Sequence, residues 1–254
     1  YISMTNPNLH VLILAGGLGK RMKSDLPKVL HKLNGIPMLV RVIETAKLLS
    51  PKTFYLVVGK YEPIIRETLE KYMSLENIIF VRQTVALGTG HAVQCALPEF
   101  IQLDREDKVL ILSGDVPLLK EDSMRSLITK VPVTLLTTKY DDPTGYGRIV
   151  TNSENQFIKI VEQKDCNENQ KNIQMINAGV YAFEVGVLCD HLPKIDNNNA
   201  QQEYYLTDIF EIILRDGDGD DMLINTIELP KYKNIELVGI NTKEQLEELE
   251  TKLK

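Results

Sequence analysis

The chain has 254 residues, 43% of them hydrophobic and 25% charged, which is enough apolar matter for one large α/β domain or two small ones. A net charge of −6 gives no global pull toward nucleic acid or an anionic membrane, and no apolar run approaches a membrane span or a signal-peptide layout. Three widely spaced cysteines (Cys95, Cys166, Cys189) argue for reduced thiols in a cytoplasmic protein rather than a disulfide framework, and the four histidines lack the spacing of a zinc site.

The apolar run from His10 to Ala15 predicts a buried strand that feeds into Gly16, Gly17 and Gly19. Five Lys/Arg and one acid follow between Lys20 and Lys32. Backbone N–H groups of such a loop, with Lys20, Arg21 and Lys28 behind them, make a cradle for phosphates. The loop is neither a Walker A motif, lacking the second Gly-Lys-Ser/Thr, nor a dinucleotide fingerprint, lacking the third glycine. The bland alternative is a tight β-to-loop connection with a solvated basic tail. On an acidic chain, a local basic patch suits a small polyanion better than a long one.

Downstream, Pro37 to Ser50 places Leu39, Val42, Ile43, Ala46 and Leu49 at helical spacing, with Pro37 suited to a first turn. Thr53 to Gly59 reads as a second buried strand. Tyr61 to Met73 reads as a surface helix with Ile64, Ile65 and Leu69 inward. Ile78 to Gln83 is a third strand, and Ala86-Leu87-Gly88-Thr89-Gly90 opens a further helix. Lys108 to Leu112 is a fourth strand, stopping at Ser113-Gly114-Asp115-Val116-Pro117. This alternation predicts βαβ units and a mostly parallel sheet, in which ligands sit beyond the carboxyl ends of the strands. Three polar clusters lie at such ends: the glycine loop, Gln83 with Gly88-Thr89, and Asp115.

From about Val131 the rhythm changes. Val133 to Lys139, Arg148 to Thr151, Phe157 to Gln163 and Gly179 to Phe183 read as short strands separated by Asn/Asp/Gly clusters, so antiparallel or mixed β is added to the parallel half. Tyr205 to Arg215 reads as a helix, Met222 to Leu229 and Ile235 to Ile240 as two more strands, and Thr242 to Lys254 as a capped, charged helix. The run Asp216 to Asp221 alternates acids with glycines but has Ile227 where a Ca²⁺ loop needs its twelfth-position glutamate, so it reads as a solvated turn.

Taken together, LAGGLGKRM with DLPKVL, QTVALGTGHAV, LSGDVPL, DDPTGYGRI, IVEQKD, INAGVY, NNNAQQEYYLTDI and VGIN resemble the uridylyltransferase half of N-acetylglucosamine-1-phosphate uridylyltransferases, in the same order along most of the chain. The resemblance implies a Rossmann-like fold of the nucleotide-diphospho-sugar transferase type, a mostly parallel mixed sheet flanked by helices with a smaller β-rich sugar-binding portion. It implies a nucleotidyltransferase domain over 1–241 and a linking helix over 242–254, without the acetyltransferase β-helix that usually follows in that family. The implied reaction is transfer of UMP from UTP to N-acetylglucosamine 1-phosphate, a cytoplasmic step toward peptidoglycan and lipopolysaccharide precursors. The family's trimers are held largely by the β-helix domain, so a monomer or weak oligomer is expected.

The attacking sugar phosphate is already anionic, so no general base is needed, and His31 and His91 read as packing or hydrogen-bonding residues. The site must instead bring two anions together and stabilise charge. By resemblance, Arg21 and Lys28 are the catalytic cations; Ala15, Gly17, Lys28, Gln83, Gly88, Thr89 and Asp115 bind nucleotide; Gly147, Glu162, Asn177, Tyr205 and Asn241 bind the sugar phosphate, with Thr207 nearby. Asp115 and Asn241 are the implied Mg²⁺ ligands, although Asn241 before Thr-Lys-Glu could equally cap a helix. Two positions depart from the family pattern: Ser113 stands where Tyr is frequent and Ala178 where Thr is frequent. The rival readings are another sugar-1-phosphate nucleotidyltransferase and a non-catalytic nucleotide-sugar-binding domain.

Overall fold

A computed structural model describes residues 8–17, 19–217 and 223–253. Among these residues no helix is long and apolar enough to cross a membrane. The N-terminal half is built as the alternation predicts. Strands β1 (Leu9–Leu14), β4 (Thr53–Val58), β5 (Ile78–Arg82) and β6 (Lys108–Ser113) alternate with helices, and the two-residue β2 (Lys32–Leu33) and β3 (Ile36–Pro37) form a separate antiparallel pair. Those helices are α1 (Met38–Lys47), α2 (Glu62–Glu70), α3 (Thr89–Gln94), α4 (Leu97–Phe100) and α5 (Glu121–Ser126). The later part adds β7 (Val133–Lys139), β8 (Arg148–Thr151), β9 (Phe157–Val161), β10 (Met175–Glu184) and β11 (Ile224–Leu229). Its helices are α6 (Glu168–Lys171), α7 (Val185–His191), α8 (Asp208–Asp216) and α9 (Lys243–Lys252).

One sheet carries both parts, in the order β11-β7-β10-β6-β1-β4-β5, with β8 and β9 attached through β10. Parallel pairs run from β6 through β1 and β4 to β5, while β10 enters antiparallel between β6 and β7. The mixed sheet expected from the change in rhythm is therefore a continuation of the parallel half rather than a separate layer. β1 is central, and Val11, Leu12 and Ile13 are fully buried because helices cover both faces. On one face Val11, Ile13, Leu39, Ile43, Leu56 and Leu110 pack together; on the other, Leu12, Tyr55, Phe100, Ile111, Phe183 and Phe210 do.

A third, smaller cluster joins the β2–β3 region to the C-terminal helix α9. Leu33 and Met38 pack on Ile240 and Leu249, and the Asn34 N–H donates to Glu250 Oε1 at 2.7 Å. The β2–β3 hairpin that supplies Leu33 turns through Asn34 and Gly35, both at positive φ (48° and 80°), the conformation that an Asn-Gly pair adopts readily. Helix α9 starts as its sequence predicts: Thr242 Oγ1 accepts from the Gln245 N–H at 3.2 Å and Gln245 Oε1 accepts from the Thr242 N–H at 3.1 Å.

Three expectations need correction. Ile235 to Ile240 is not a strand: a 3₁₀ helix covers Lys231–Leu237. Its Glu236 is buried and accepts from the Lys120 N–H and from Ser123 Oγ–H at 2.7 Å at the start of α5, a tertiary demand that alternation of apolar residues does not reveal. Ile64 does not face inward with Ile65 and Leu69; it is 38% exposed, because the narrow buried stripe of α2 holds only those two residues. Helix α8 also begins at Asp208 rather than Tyr205. Asp218 to Asp221 of the acidic run, and the expected strand start at Met222, lie outside the described residues.

Candidate active site

The predicted residues gather at the carboxyl edge of β1, β5 and β6, around two cavities that share Leu14, Thr89 and Ser113 as lining. The first, about 360 Å³, is bounded by Gly16, Gly17, Gly19, Lys28, Gln83, Gly88 and Asp115. Ala15 is buried beside it, its N–H donating to Val57 O at 2.9 Å, and is not part of the lining. Gly19 has φ +57°, and a Cβ there would come within 2.6 Å of Lys28 Cβ, so glycine is what lets Lys28 fold back against the loop.

Gln83, one residue beyond β5, has a fixed amide. Its Nε2 donates to Gly88 O at 3.1 Å and to His91 Nδ1 at 3.0 Å, which leaves Oε1, on the side of Gly16, without a hydrogen bond among the described residues. His91 is thus a hydrogen-bonding residue, as expected, with Nδ1 the acceptor and the ring proton on Nε2. Gly88 has φ +114°, and a Cβ there would lie 2.5 Å from Tyr204 O. The reason is a pair of backbone bonds, Gly90 N–H to Tyr204 O at 2.7 Å and Tyr204 N–H to Leu87 O at 2.8 Å, that clamp this loop to the EYYLTD segment.

The second cavity, about 480 Å³, is lined by Arg21, Tyr146, Gly147, Glu162, Asn177, Ala178, Thr207 and Asn241 among others. Asn177 reaches it because β10 bulges between Asn177 and Tyr181; Asn177 Oδ1 accepts from the Gly179 N–H at 3.0 Å and its Nδ2 donates to Tyr181 Oη at 2.6 Å. Glu162, one residue beyond β9, accepts from Thr207 Oγ1–H at 2.9 Å, and burial pushes its carboxyl above the usual range. A Cβ on Gly147 would meet Ile160 at 2.9 Å. Tyr205 is buried and lies outside the lining of both cavities.

Between the cavities, four predicted side chains converge. Lys28 Nζ pairs with Asp115 Oδ2 and donates to Asn241 Oδ1 at 3.0 Å; Arg21 NH2 donates to the same Asn241 oxygen at 3.0 Å. Asp115 Oδ2 and Asn241 Oδ1 therefore point at one spot. Two hard oxygens from protein, with the remaining positions left to phosphate and water, fit Mg²⁺. Among the described residues no group of three or more His, Cys, Asp or Glu could hold a metal, so this pair would rely on substrate oxygens.

Several contributors escaped the sequence reading. Ser113 Oγ–H donates to Asp115 Oδ1 at 2.6 Å, and Gln245 Oε1 accepts from the Asn241 N–H at 2.7 Å. Arg148, 1% exposed, donates to Tyr146 O and to Gln163 Oε1 (2.8 Å), while Gln163 Oε1 also accepts from the Gly145 N–H at 3.0 Å. The signal for Arg148 was an arginine directly after Gly-Tyr-Gly, at the head of an otherwise apolar strand. Lys23 is exposed at φ +48°, as a solvated residue should be; the side chain of Lys20 is outside the described set.

A mostly parallel sheet whose strand ends carry a glycine loop, a fixed amide and a cation–carboxylate cluster is suited to bind a phosphorylated nucleotide. The comparisons agree: the profile of the MobA-like NTP transferase domain matches residues 11–160, and the chain belongs to that family. It is 41% identical over 248 residues to the Probable UDP-N-acetylglucosamine pyrophosphorylase of Acanthamoeba polyphaga mimivirus, covering 96% of this chain and 95% of that protein. It is 44% identical over 246 residues to the Bifunctional protein GlmU of Pseudomonas syringae, covering 96% of this chain and 51% of GlmU, so it spans about half the length of that relative. A solved Bacillus anthracis structure, assigned as a glucose-1-phosphate thymidylyltransferase and bound to sucrose, overlays with a TM-score of 0.70 at 17% identity, covering 96% and 94% of the two chains; that likeness is one of fold. The chain is a nucleotidyltransferase enzyme of the sugar-1-phosphate type.

Proposed function

We propose that this enzyme transfers UMP from UTP to N-acetylglucosamine 1-phosphate, releasing pyrophosphate. The observation that carries the reading is the junction: Arg21, Lys28, Asp115 and Asn241 stand between a glycine-bounded cavity and a second one lined by Glu162, Asn177 and Thr207. That is where the α-phosphate of a nucleotide and the phosphate of a sugar would have to meet. The identity with a mimivirus protein named for UDP-N-acetylglucosamine supports the choice of sugar and base.

The chemistry asks little of the protein beyond alignment and charge. The glycine loop brings backbone to the triphosphate. Lys28 and Arg21 offset negative charge on the reacting phosphates. Gln83, with its Nε2 already donated, presents Oε1 as an acceptor, which suits the N3–H of uracil and not the bare N3 of cytosine. Glu162, Asn177 and Gly147 form the wall for the sugar, and Ala178 contributes a methyl to it where the family it resembles frequently has a threonine hydroxyl. Asp115 and Asn241 would hold Mg²⁺, which supplies neutralisation of the phosphate and pyrophosphate oxygens. In this reading the transferase unit is 1–241, with 242–254 as a helix that follows it and packs back on Leu33 and Met38 through Leu249.

Pyrophosphate release measured for UTP, dTTP and CTP against several hexose and N-acetylhexosamine 1-phosphates, with Mg²⁺ and after chelation, tests the proposal. The expected result is the highest kcat/KM for UTP with N-acetylglucosamine 1-phosphate and its loss on chelation. A higher kcat/KM for another base or sugar would replace this reading with that of a sibling transferase, and no turnover with any pair would favour a binding module.

A further inference from the structure

Building on the reading of Asp115 and Asn241 as cation ligands, we infer that Lys28 is the resident counter-ion of that pair and must be displaced before a divalent cation can bind. Lys28 thereby couples cation entry to the arrival of an anionic ligand that can take over its ammonium. The ammonium contacts Asp115 Oδ2 and Asn241 Oδ1 together, the same two oxygens that would ligate the cation. The choice of Oδ2 is set from behind: Ser113 Oγ–H holds Oδ1 at 2.6 Å, so Oδ2 is the carboxylate oxygen turned toward the cluster. Arg21 adds a second positive group on Asn241 Oδ1 at 3.0 Å.

The pair is shielded enough for charge to matter, with the Lys28 and Asp115 side chains 14% and 13% exposed. A monovalent and a divalent cation cannot share two oxygens a few ångströms apart without strong repulsion. The Lys28 stem is packed at its base against Gly19, but the ammonium rides on four carbons and can swing. A triphosphate placed in the glycine-bounded cavity, which Lys28 also lines, gives the ammonium a better partner and frees Asp115 Oδ2. Linkage then requires nucleotide and cation to strengthen each other at this cluster. Lys28 thus acts twice: it keeps the ligand pair assembled and neutral, then carries its charge to the phosphates.

The test is Mn²⁺ binding to the nucleotide-free protein, read as loss of the free Mn²⁺ electron paramagnetic signal. Lys28→Met is expected to bind Mn²⁺ about tenfold or more tightly than wild type, because a competing positive charge is gone. Lys28→Arg should stay near wild type, and Lys28→Met with Asp115→Asn should lose the gain. Unchanged or weaker Mn²⁺ binding by a folded Lys28→Met protein overturns the inference, as does a gain that survives Asp115→Asn. Should Lys28→Met fail to fold, the wild-type chain carries the question: the ¹³C-dimethyl signal of reductively methylated Lys28 should shift as Mg²⁺ with UTP is added, and a signal that stays put at saturation refutes displacement. None of these readouts needs turnover, so a different substrate pair would sink the proposed function while leaving this result standing.

Discussion

The two cavities are made in different ways. The glycine-bounded one is shaped by backbone: consecutive parallel strands deliver Gly16, Gly88 and the loop at Gly19 to one edge, and positive φ at Gly19 and Gly88 sets its walls. The other is shaped by side chains drawn from far apart, with buried Arg148 holding the 143–147 turn, Thr207 holding Glu162 and Tyr181 holding Asn177. Backbone walls fail by steric clash and carry the fold down with them. Side-chain walls fail one hydrogen bond at a time and leave the sheet intact.

The junction belongs to both, and the largest effects are expected there. Lys28→Ala and Asp115→Ala should each lower kcat in pyrophosphate release by about 10²–10³-fold, the scale of losing one preorganised charge-stabilising group, with melting temperature little changed. A turnover within threefold of wild type would remove either residue from the machinery. Gly88→Ala comes next and probes the backbone wall. A Cβ 2.5 Å from Tyr204 O at φ +114° should cost roughly 2–4 kcal/mol in denaturant unfolding and raise the KM for UTP; a stable variant with unchanged KM would show that the loop yields.

Glu162→Gln tests the side-chain wall. We expect KM for the sugar phosphate to rise roughly tenfold, from loss of a charge-assisted bond, with KM for UTP and the unfolding midpoint unmoved. Equal rises in both KM values would erase the distinction between the cavities. The smallest effect concerns Asp208, whose carboxyl is pushed up to about 6, first by burial and then by Asp196, Glu162 and other nearby acids. A raised acid binds its proton more tightly in the native state, so stability from this group is present at low pH and falls as pH rises from about 4 through about 6. Asp208→Asn should therefore stabilise the protein at pH 7 by on the order of 1–2 kcal/mol and not at pH 4. A melting-temperature gain equal at both pH values would assign the effect to packing instead.

The same contrast decides what could be read from the chain. β1, β4, β6, β7 and β8 were legible within a residue or so, since strands buried on both faces or bounded by turn residues declare themselves locally. The glycine loop, Gln83 and Asp115 followed from strand ends alone. Helices α5, α6 and α7 span six, four and seven residues, too short for a helical period to register. The 3₁₀ helix at 231–237 was misread because what fixes it, a buried Glu236 reaching α5, is more than 110 residues away in sequence. The roles of Ser113, noted only as a departure from the family pattern, and of Gln245 were hidden for a similar reason: a serine at a strand end and a glutamine three residues past a cap gain meaning only from the Asp115 and Asn241 they hold. Glu162 and Asn177 were reached by resemblance, not by pattern.

Contacts across the junction span 87, 213 and 220 residues of chain. Closing such loops comes late in folding, because their entropy must be overcome before the contacts return anything. Partly folded or nascent molecules will therefore hold a glycine loop and a parallel sheet well before they hold Asn241 beside Lys28. Onset of activity on refolding should lag the recovery of secondary structure, which makes this enzyme a timer for its own completion.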